Sequence, residues 1–256
     1  VQSSELDAYP IIGPTEICSN ELATYTTTEG PGASTYEWAV DNELFTTTTP
    51  AFSTNWSTPG NKTITVTPVH PSACAASTES FTTYVRGAPN GAVTITGPTM
   101  LCGGTNAIYE VTTVPNAQTY EWELTAAGAT IISVSPDRTS VGVQFAEYAE
   151  SGAIKVKAVN ECGDGVFSEK AIVVNTKPRP TQPIWGPGEV CLGSSTIRYY
   201  TEEISNAASY NWEIVGEGQI ISGNGSNEIY VNWLSPGQKM VKVTPLNSQC
   251  GNGDTQ

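Results

Sequence analysis

The chain has 256 residues, 25 of them acidic and 11 basic, for a formal net charge of −14 and a pI near 4.3. Such a balance repels phosphate backbones and anionic lipid surfaces, which sets nucleic acid aside as a partner. No run of 18 apolar residues is present and the opening "VQSSELDAYP" has neither a basic nor an apolar leader region, so the sequence implies no direct membrane insertion and reads as a mature or excised piece of an exported protein.

From the N-terminus, the heptad "IGPTEIC" ends at Cys18, and "ASTYEWAV" follows with Tyr36 and Trp38. The same order recurs as "TGPTMLC" to Cys102 with Tyr120 and Trp122, and as "WGPGEVC" to Cys191 with Tyr210 and Trp212. The separations from cysteine to tryptophan are 20, 20 and 21 residues. Each unit then closes on a second cysteine: "ITVTPVHPSAC" at Cys74, "IKVKAVNEC" at Cys162 and "VKVTPLNSQC" at Cys250. Self-similarity at a fixed period fixes the organisation before any finer reading. The breaks fall in "RGAPNGA" (86–92) and "TKPRPTQP" (176–183), giving domains at 1–88, 89–178 and 179–256. The second break has three prolines and reads as a semi-rigid spacer, so the expected assembly is an elongated rod. The third unit stops at "CGNGDTQ" where the second continues "GDGVFSEKAIVVN", and so reads as C-terminally truncated.

The second unit has the cleanest pattern. "VTITG", "AIYEVTTV", "TYEWEL", "TIISVS", "SVGVQFA", "AIKVKAVN" and "KAIVVN" alternate with period two between turn residues. Seven short strands predict an all-β, immunoglobulin-like sandwich, one per repeat. "AEYAESG" (146–152) is too short to stand as a helix. In "TYEWEL", Tyr120, Trp122 and Leu124 share one face and Glu121 and Glu123 the other. Trp38, Trp122 and Trp212 are therefore expected to fill the three cores. Burying each ring is worth on the order of 5 kcal/mol before entropy.

Six cysteines at regular spacing indicate an oxidising, extracellular compartment and a disulfide framework. The closest pair, Cys74 and Cys102, is 28 residues apart, which is not zinc-ligand spacing. Six cysteines allow fifteen pairings. The pairing read here is one bond per unit, Cys18 with Cys74, Cys102 with Cys162 and Cys191 with Cys250, as staples at the domain ends.

Other residues offer little chemistry. His70, the single histidine, stands between Pro68 and Pro71, and Asn160 and Asn247 take its place in the other units. It lacks a nucleophile to serve, and Glu147 and Glu150 share one loop with no opposing cleft, so the chain is not expected to be an enzyme. Neither a catalytic nor a cofactor site is assigned. Oxygen-rich turns at Asp41 and Glu43, Asp164, and Asp254 leave calcium open as a ligand, although none follows the order of a calcium loop. Trp56 and Trp233 align with Phe145 and read as core. Trp185 follows the proline stretch and is read as packing across the interdomain joint, with a glycan or partner contact as the alternative. The Thr-rich "FTTTTP" (45–50) leaves lateral assembly open.

"GPTMLC", "AQTYEW" and "KVKAVNECG", in this order, resemble the PKD-like, immunoglobulin-like repeats of exported Bacteroidota surface proteins, which occur in gliding-motility adhesins and other substrates of the type IX secretion system. The three units lack the Phe-Gly-Asp-Gly turn that typically follows the Tyr-x-Trp strand, which places them in a cysteine-bearing branch. The resemblance implies a tandem stalk or spacer, or part of an adhesive filament, displayed on the bacterial outer surface. Its partners would be neighbouring repeats of the same polypeptide, with surface polysaccharide or other cell-surface proteins as further contacts. A carbohydrate-binding accessory module of a secreted polysaccharide-acting protein is the alternative.

Overall fold

The computed structural model describes residues 9–29, 33–70, 77–179, 183–194 and 196–256; Cys74 and residues 180–182 of the proline-rich stretch lie outside them. Every regular element among the described residues is a β-strand.

The first repeat forms β1 (Glu16–Cys18), β2 (Ala23–Thr26), β3 (Thr35–Val40), β4 (Glu43–Thr47), β5 (Ala51–Thr54), β6 (Gly60–Val69) and β7 (Glu79–Arg86). One sheet is ordered β1-β7-β6-β3-β4, and β2 pairs with β5. Alternation sends Ile64 and Val66 of β6 into a core with Tyr25, Tyr36, Trp38 and Trp56. Asp41 (φ 50°) and Asn42 (φ 70°) make the two-residue turn between β3 and β4, the left-handed pair that a tight hairpin requires. The threonine-rich β4 is an exposed sheet edge.

The second repeat forms β8 (Ile95–Thr96), β9 (Met100–Cys102), β10 (Asn106–Val111), β11 (Thr119–Leu124), β12 (Ala129–Val134), β13 (Ser140–Phe145), β14 (Gly152–Asn160), β15 (Gly163–Asp164) and β16 (Ser168–Asn175). Its sheets run β12-β13-β10-β8 and β11-β14-β16-β9, with β15 on β14. All seven strands predicted for this unit are present, and residues 146–152 are not helical. The two unforeseen strands are β9 and β15. In the third repeat, β17 (Ile197–Tyr200), β20 (Glu228–Trp233) and β19 (Gly218–Ser222) form one sheet, and β18 (Ser209–Val215) pairs with β21 (Met240–Leu246).

Repetition of the Gly-Pro pair has a packing cause. A Cβ on Gly13, Gly97 or Gly186 would come within 2.3, 2.5 and 2.3 Å of the rings of Tyr25, Tyr109 and Tyr199, so each glycine lets one tyrosine ring lie flat on the chain. The Tyr-x-Trp motif holds two jobs. Trp38 is 0% and Trp212 2% exposed, and their indole N–H groups donate to Thr47 Oγ1 (3.1 Å) and Ser226 O (2.8 Å). The buried hydroxyls of Tyr120 and Tyr210 accept from the backbone N–H of Val114 (3.1 Å) and Ile204 (2.9 Å), fixing the turn that leads into the strand. Asn116 (φ 64°) and Asn206 (φ 67°) take the left-handed place in those turns.

Trp122 departs from the expectation of a filled core. It is only half-buried, with its N–H on Arg138 O at 2.8 Å. In the first sandwich Phe52, four residues before Trp56, stacks on Trp38 with centroids 5.7 Å apart. The residue four before Phe145 is Val141, which has no ring to stack. Trp56, Phe145 and Trp233 are buried, as the alignment of the units requires.

Two compact units account for the chain. The first holds Val1–Val93, Thr113–Glu121 and Lys157–Phe167; the second holds Thr94–Thr112, Trp122–Val156 and Ser168–Gln256. The division runs through the second repeat, so one end of its sandwich is grouped with the first repeat.

Candidate functional site: two disulfide-closed joints

The parallel pairing of β1 with β7 decides where the first cysteine stands. Cys18 lies opposite Arg86, the last residue of β7, and Cys102 lies opposite Asn175, the last residue of β16. Each first cysteine is thus level with the point where the chain leaves its own sandwich. Cys162 sits instead in a turn ahead of the final strand, between β14 and β15, before β16 begins at Ser168. The eight residues of β16 place Cys102 and Cys162 roughly 23 Å apart along the strand direction, and a disulfide needs Cα atoms within about 7 Å.

The bonds consequently join successive repeats. Cys18 is bonded to Cys162 and Cys102 to Cys250, with Cα separations of 5.2 and 5.4 Å. This corrects the expectation of one disulfide per unit: Cys102 does not pair with Cys162, Cys191 does not pair with Cys250, and Cys18 is not available to Cys74. Cys191 is an exposed free thiol, the one such cysteine among the described residues. The staples do stand at domain ends, but they reach across to the next repeat.

In the first unit, Asn160 builds the surroundings of the bond. It is 7% exposed, its Oδ1 accepts from Cys162 N (2.8 Å), and its Nδ2 donates to Gly87 O (2.9 Å) and Asn116 O (2.8 Å). One side chain thereby ties the cysteine turn, the turn under Tyr120 and the linker leaving β7. Gly165 lets the linker approach: a Cβ there would meet Pro89 O at 3.1 Å. Lys157 bridges Glu121 (3.0 Å) and Asp164, and the hydrogen bond to Asp164, followed by that to Glu121, holds its ammonium above the usual lysine range.

The second unit repeats the design. Asn247 Oδ1 accepts from Gln249 N (2.8 Å) and Cys250 N (3.1 Å), and Nδ2 donates to Asn206 O (2.7 Å). Asn206 Nδ2 reaches Thr176 Oγ1 (2.8 Å) in the linker. Gly253 faces Pro178 O, 3.0 Å from where its Cβ would stand. Lys177 pairs with Glu147 (2.5 Å) and lies 3.8 Å from Asp254, and Arg179 lies over the Tyr148 ring at 5.0 Å.

These contacts place most of the candidate chemistry. Asp164, Asp254 and Glu147 each face a lysine, Asp41 is a turn residue 3.9 Å from Lys62, and His70 follows the end of β6. No cluster of three His, Cys, Asp or Glu side chains suited to a metal exists among the described residues. Trp185 is 49% exposed, and its backbone exchanges two hydrogen bonds with Tyr200. The residues overlooked in the sequence were Asn160 and Asn247. Their signal was an asparagine two or three residues before the second cysteine in two units.

Replacing Asn160 by alanine strips two carbonyls and one N–H of their shared partner. At about 1–3 kcal/mol for buried groups left unpaired, the first joint should open more often. Cys18–Cys162 in Asn160→Ala should then be reduced by dithiothreitol several-fold faster than in the wild type, with Cys102–Cys250 unchanged. A Cys18–Cys162 rate unchanged from the wild type would mean that Asn160 does not hold the joint.

Tandem β-sandwiches whose successive repeats are tied by linker and disulfide define the class as a repeat of immunoglobulin-like modules. Residues 88–172 and 177–256 each match the model of the PKD-like domain. Together they cover more than half of the chain, and the chain belongs to the PKD-like domain family. Among solved structures, the chicken CNTN1 FN1-FN3 domains are similar at 14% identity, over 99% of this chain and 97% of theirs, with a TM-score of 0.31. Domains A168-A170 of titin are similar at 9% identity, over 96% and 95%, with a TM-score of 0.35. The fibronectin(III)-like modules of Clostridium thermocellum CbhA share 12% identity over 65% of this chain and 94% of theirs, with a TM-score of 0.30. No curated protein matches the chain.

Proposed function

We propose that this chain is a non-catalytic stalk or spacer segment of a secreted, cell-surface adhesin or filament, built of three domains at 1–88, 89–178 and 179–256. The observation that supports it is the pair of disulfides linking successive repeats. A bond across each joint limits hinge motion and keeps neighbouring modules in register, which a spacer under tension needs and a freestanding binding module does not. Disulfides of this kind belong to oxidising compartments, in keeping with an extracellular place. The sequence resemblance extends the reading to the bacterial outer surface, type IX export and a gliding-motility adhesin of the kind of SprB. Its partners are the neighbouring repeats, with polysaccharide or other surface proteins contacted elsewhere.

The half-exposed Trp185 favours one second reading, a carbohydrate-binding accessory module of a secreted polysaccharide-acting protein. A glycan array and insoluble-polysaccharide pull-down on the oxidised chain, with and without calcium, separate the two. The stalk reading expects no saturable binding in either condition. Saturable binding that disappears in Trp185→Ala would replace it with a lectin-like role.

A further inference from the structure

Three first cysteines stand in one local frame. Cys18, Cys102 and Cys191 are each followed, two residues on, by a left-handed residue: Asn20 (φ 65°), Gly104 (φ 80°) and Gly193 (φ 82°). The turn closes on the cysteine carbonyl through Glu21 N (3.1 Å), Thr105 Oγ1 (2.6 Å) and Ser194 N (3.1 Å). Two of the three carry a disulfide to the turn cysteine of the repeat that follows. The third, Cys191, is an exposed thiol.

A separate observation concerns the sheet beside it. In the first two sandwiches the last strand lies between β1 and β6, or between β9 and β14. In the third, residues 253–256 start along the same course. Gly253 N donates to Pro245 O (2.9 Å) as Gly165 N does to Ala158 O (2.8 Å). Gln256 exchanges two hydrogen bonds with Val243, the place that Ser168 holds opposite Val156. Past Gln256, a groove lies open between residues 186–190 and 237–241, over Tyr199 and Trp233. Val190 is exposed along it. A strand laid in this groove would run antiparallel to β21 and end level with Cys191, as β7 ends level with Cys18 and β16 with Cys102.

We propose that Cys191 is the acceptor of a third joint: it forms a disulfide with the turn cysteine of a further PKD-like repeat placed after a strand that fills this groove. The inference rests on the joint-to-joint reading of the two bonds already described. In the chemistry, the Cys191 thiolate attacks a disulfide oxidant such as oxidised glutathione and releases one glutathione thiolate. The incoming cysteine thiolate then attacks the mixed disulfide and releases the second. Two thiols give up two protons and two electrons, and one glutathione disulfide becomes two thiols.

The test extends the full chain past Gln256 with a second copy of residues 169–256, its copied Cys191 replaced by serine, refolded in a glutathione buffer. Trypsin then yields two Cys250 peptides of different mass, because the inner one runs on by two residues into the added sequence. The expected result is the 171–198 peptide, which carries Cys191, linked to the terminal Cys250 peptide, and maleimide labelling of Cys191, read in that peptide, falling from complete to none. A Cys191 that stays fully reactive while Cys102 is linked to the inner Cys250 overturns the proposal and leaves the two existing joints standing. Loss of the Cys102 link as well would instead overturn the reading of the joints on which it rests. Changing the terminal Cys250 to serine should restore the reactive thiol, and a Cys191 that then bonds elsewhere would also contradict the proposal.

Discussion

A chain cut once in the exposed stretch at residues 90–92 should remain a single covalent piece until it is reduced. The Cys18–Cys162 bond spans the cut, since Cys18 lies before it and Cys162 after. With bonds confined to each repeat, the same cut would release an N-terminal fragment at once. A site-specific protease sequence inserted after Asn90, in exposed backbone where insertions are tolerated, makes the experiment practical. The non-reducing gel should show one band and the reducing gel two. Two bands without reductant would mean that no bond crosses the first joint. The effect is all or none, which is why connectivity is a sharper test than stability.

The three equivalent tryptophans should respond unequally to truncation. Trp38 is fully buried, stacked on Phe52 and hydrogen-bonded to Thr47, so Trp38→Ala loses the ring's burial and leaves a large cavity, at a cost of about 3–5 kcal/mol. Trp122 is only half-buried, and its N–H bonds to a turn carbonyl on exposed ground. Trp122→Ala should cost roughly half as much, because much of its surface already meets water. Denaturant unfolding of the two variants, followed by the fluorescence of the remaining tryptophans, measures the difference. Equal losses would show that the motif fills both cores alike, against the packing described.

The sequence made the repeat, the sandwich and all seven principal strands of the second unit legible, because period-two alternation between turns is strong over five to eight residues. It hid β1 and β9. A three-residue strand such as "EIC" or "MLC" has no periodicity to detect, yet its parallel pairing sets which end of the sandwich the first cysteine occupies. That one hidden element turned the disulfide expectation the wrong way. Even spacing within a unit suggested closure within a unit, whereas the real proximity is set by the linker: the chain leaves one sandwich beside Cys18 and starts the next beside Cys162. Trp122 departs from its expected burial for a related reason. Its strand phase is correct, but how deeply the ring is covered is set by side chains of other strands, a relation that no single strand's pattern contains. Asn160 was visible only as a residue replacing His70, and its role appears once Gly87, Asn116 and Cys162 are brought around it.

Successive repeats are joined by Cys18–Cys162 and Cys102–Cys250. Tryptic mapping of the oxidised, thiol-blocked chain without reduction tests this connectivity most directly. The expected map has peptide 1–62 linked to 158–170, peptide 87–138 linked to 243–256, and Cys191 in 171–198 carrying the thiol block. Finding 87–138 linked to 158–170, with 171–198 linked to 243–256, would contradict it and return the bonds to the interior of each repeat.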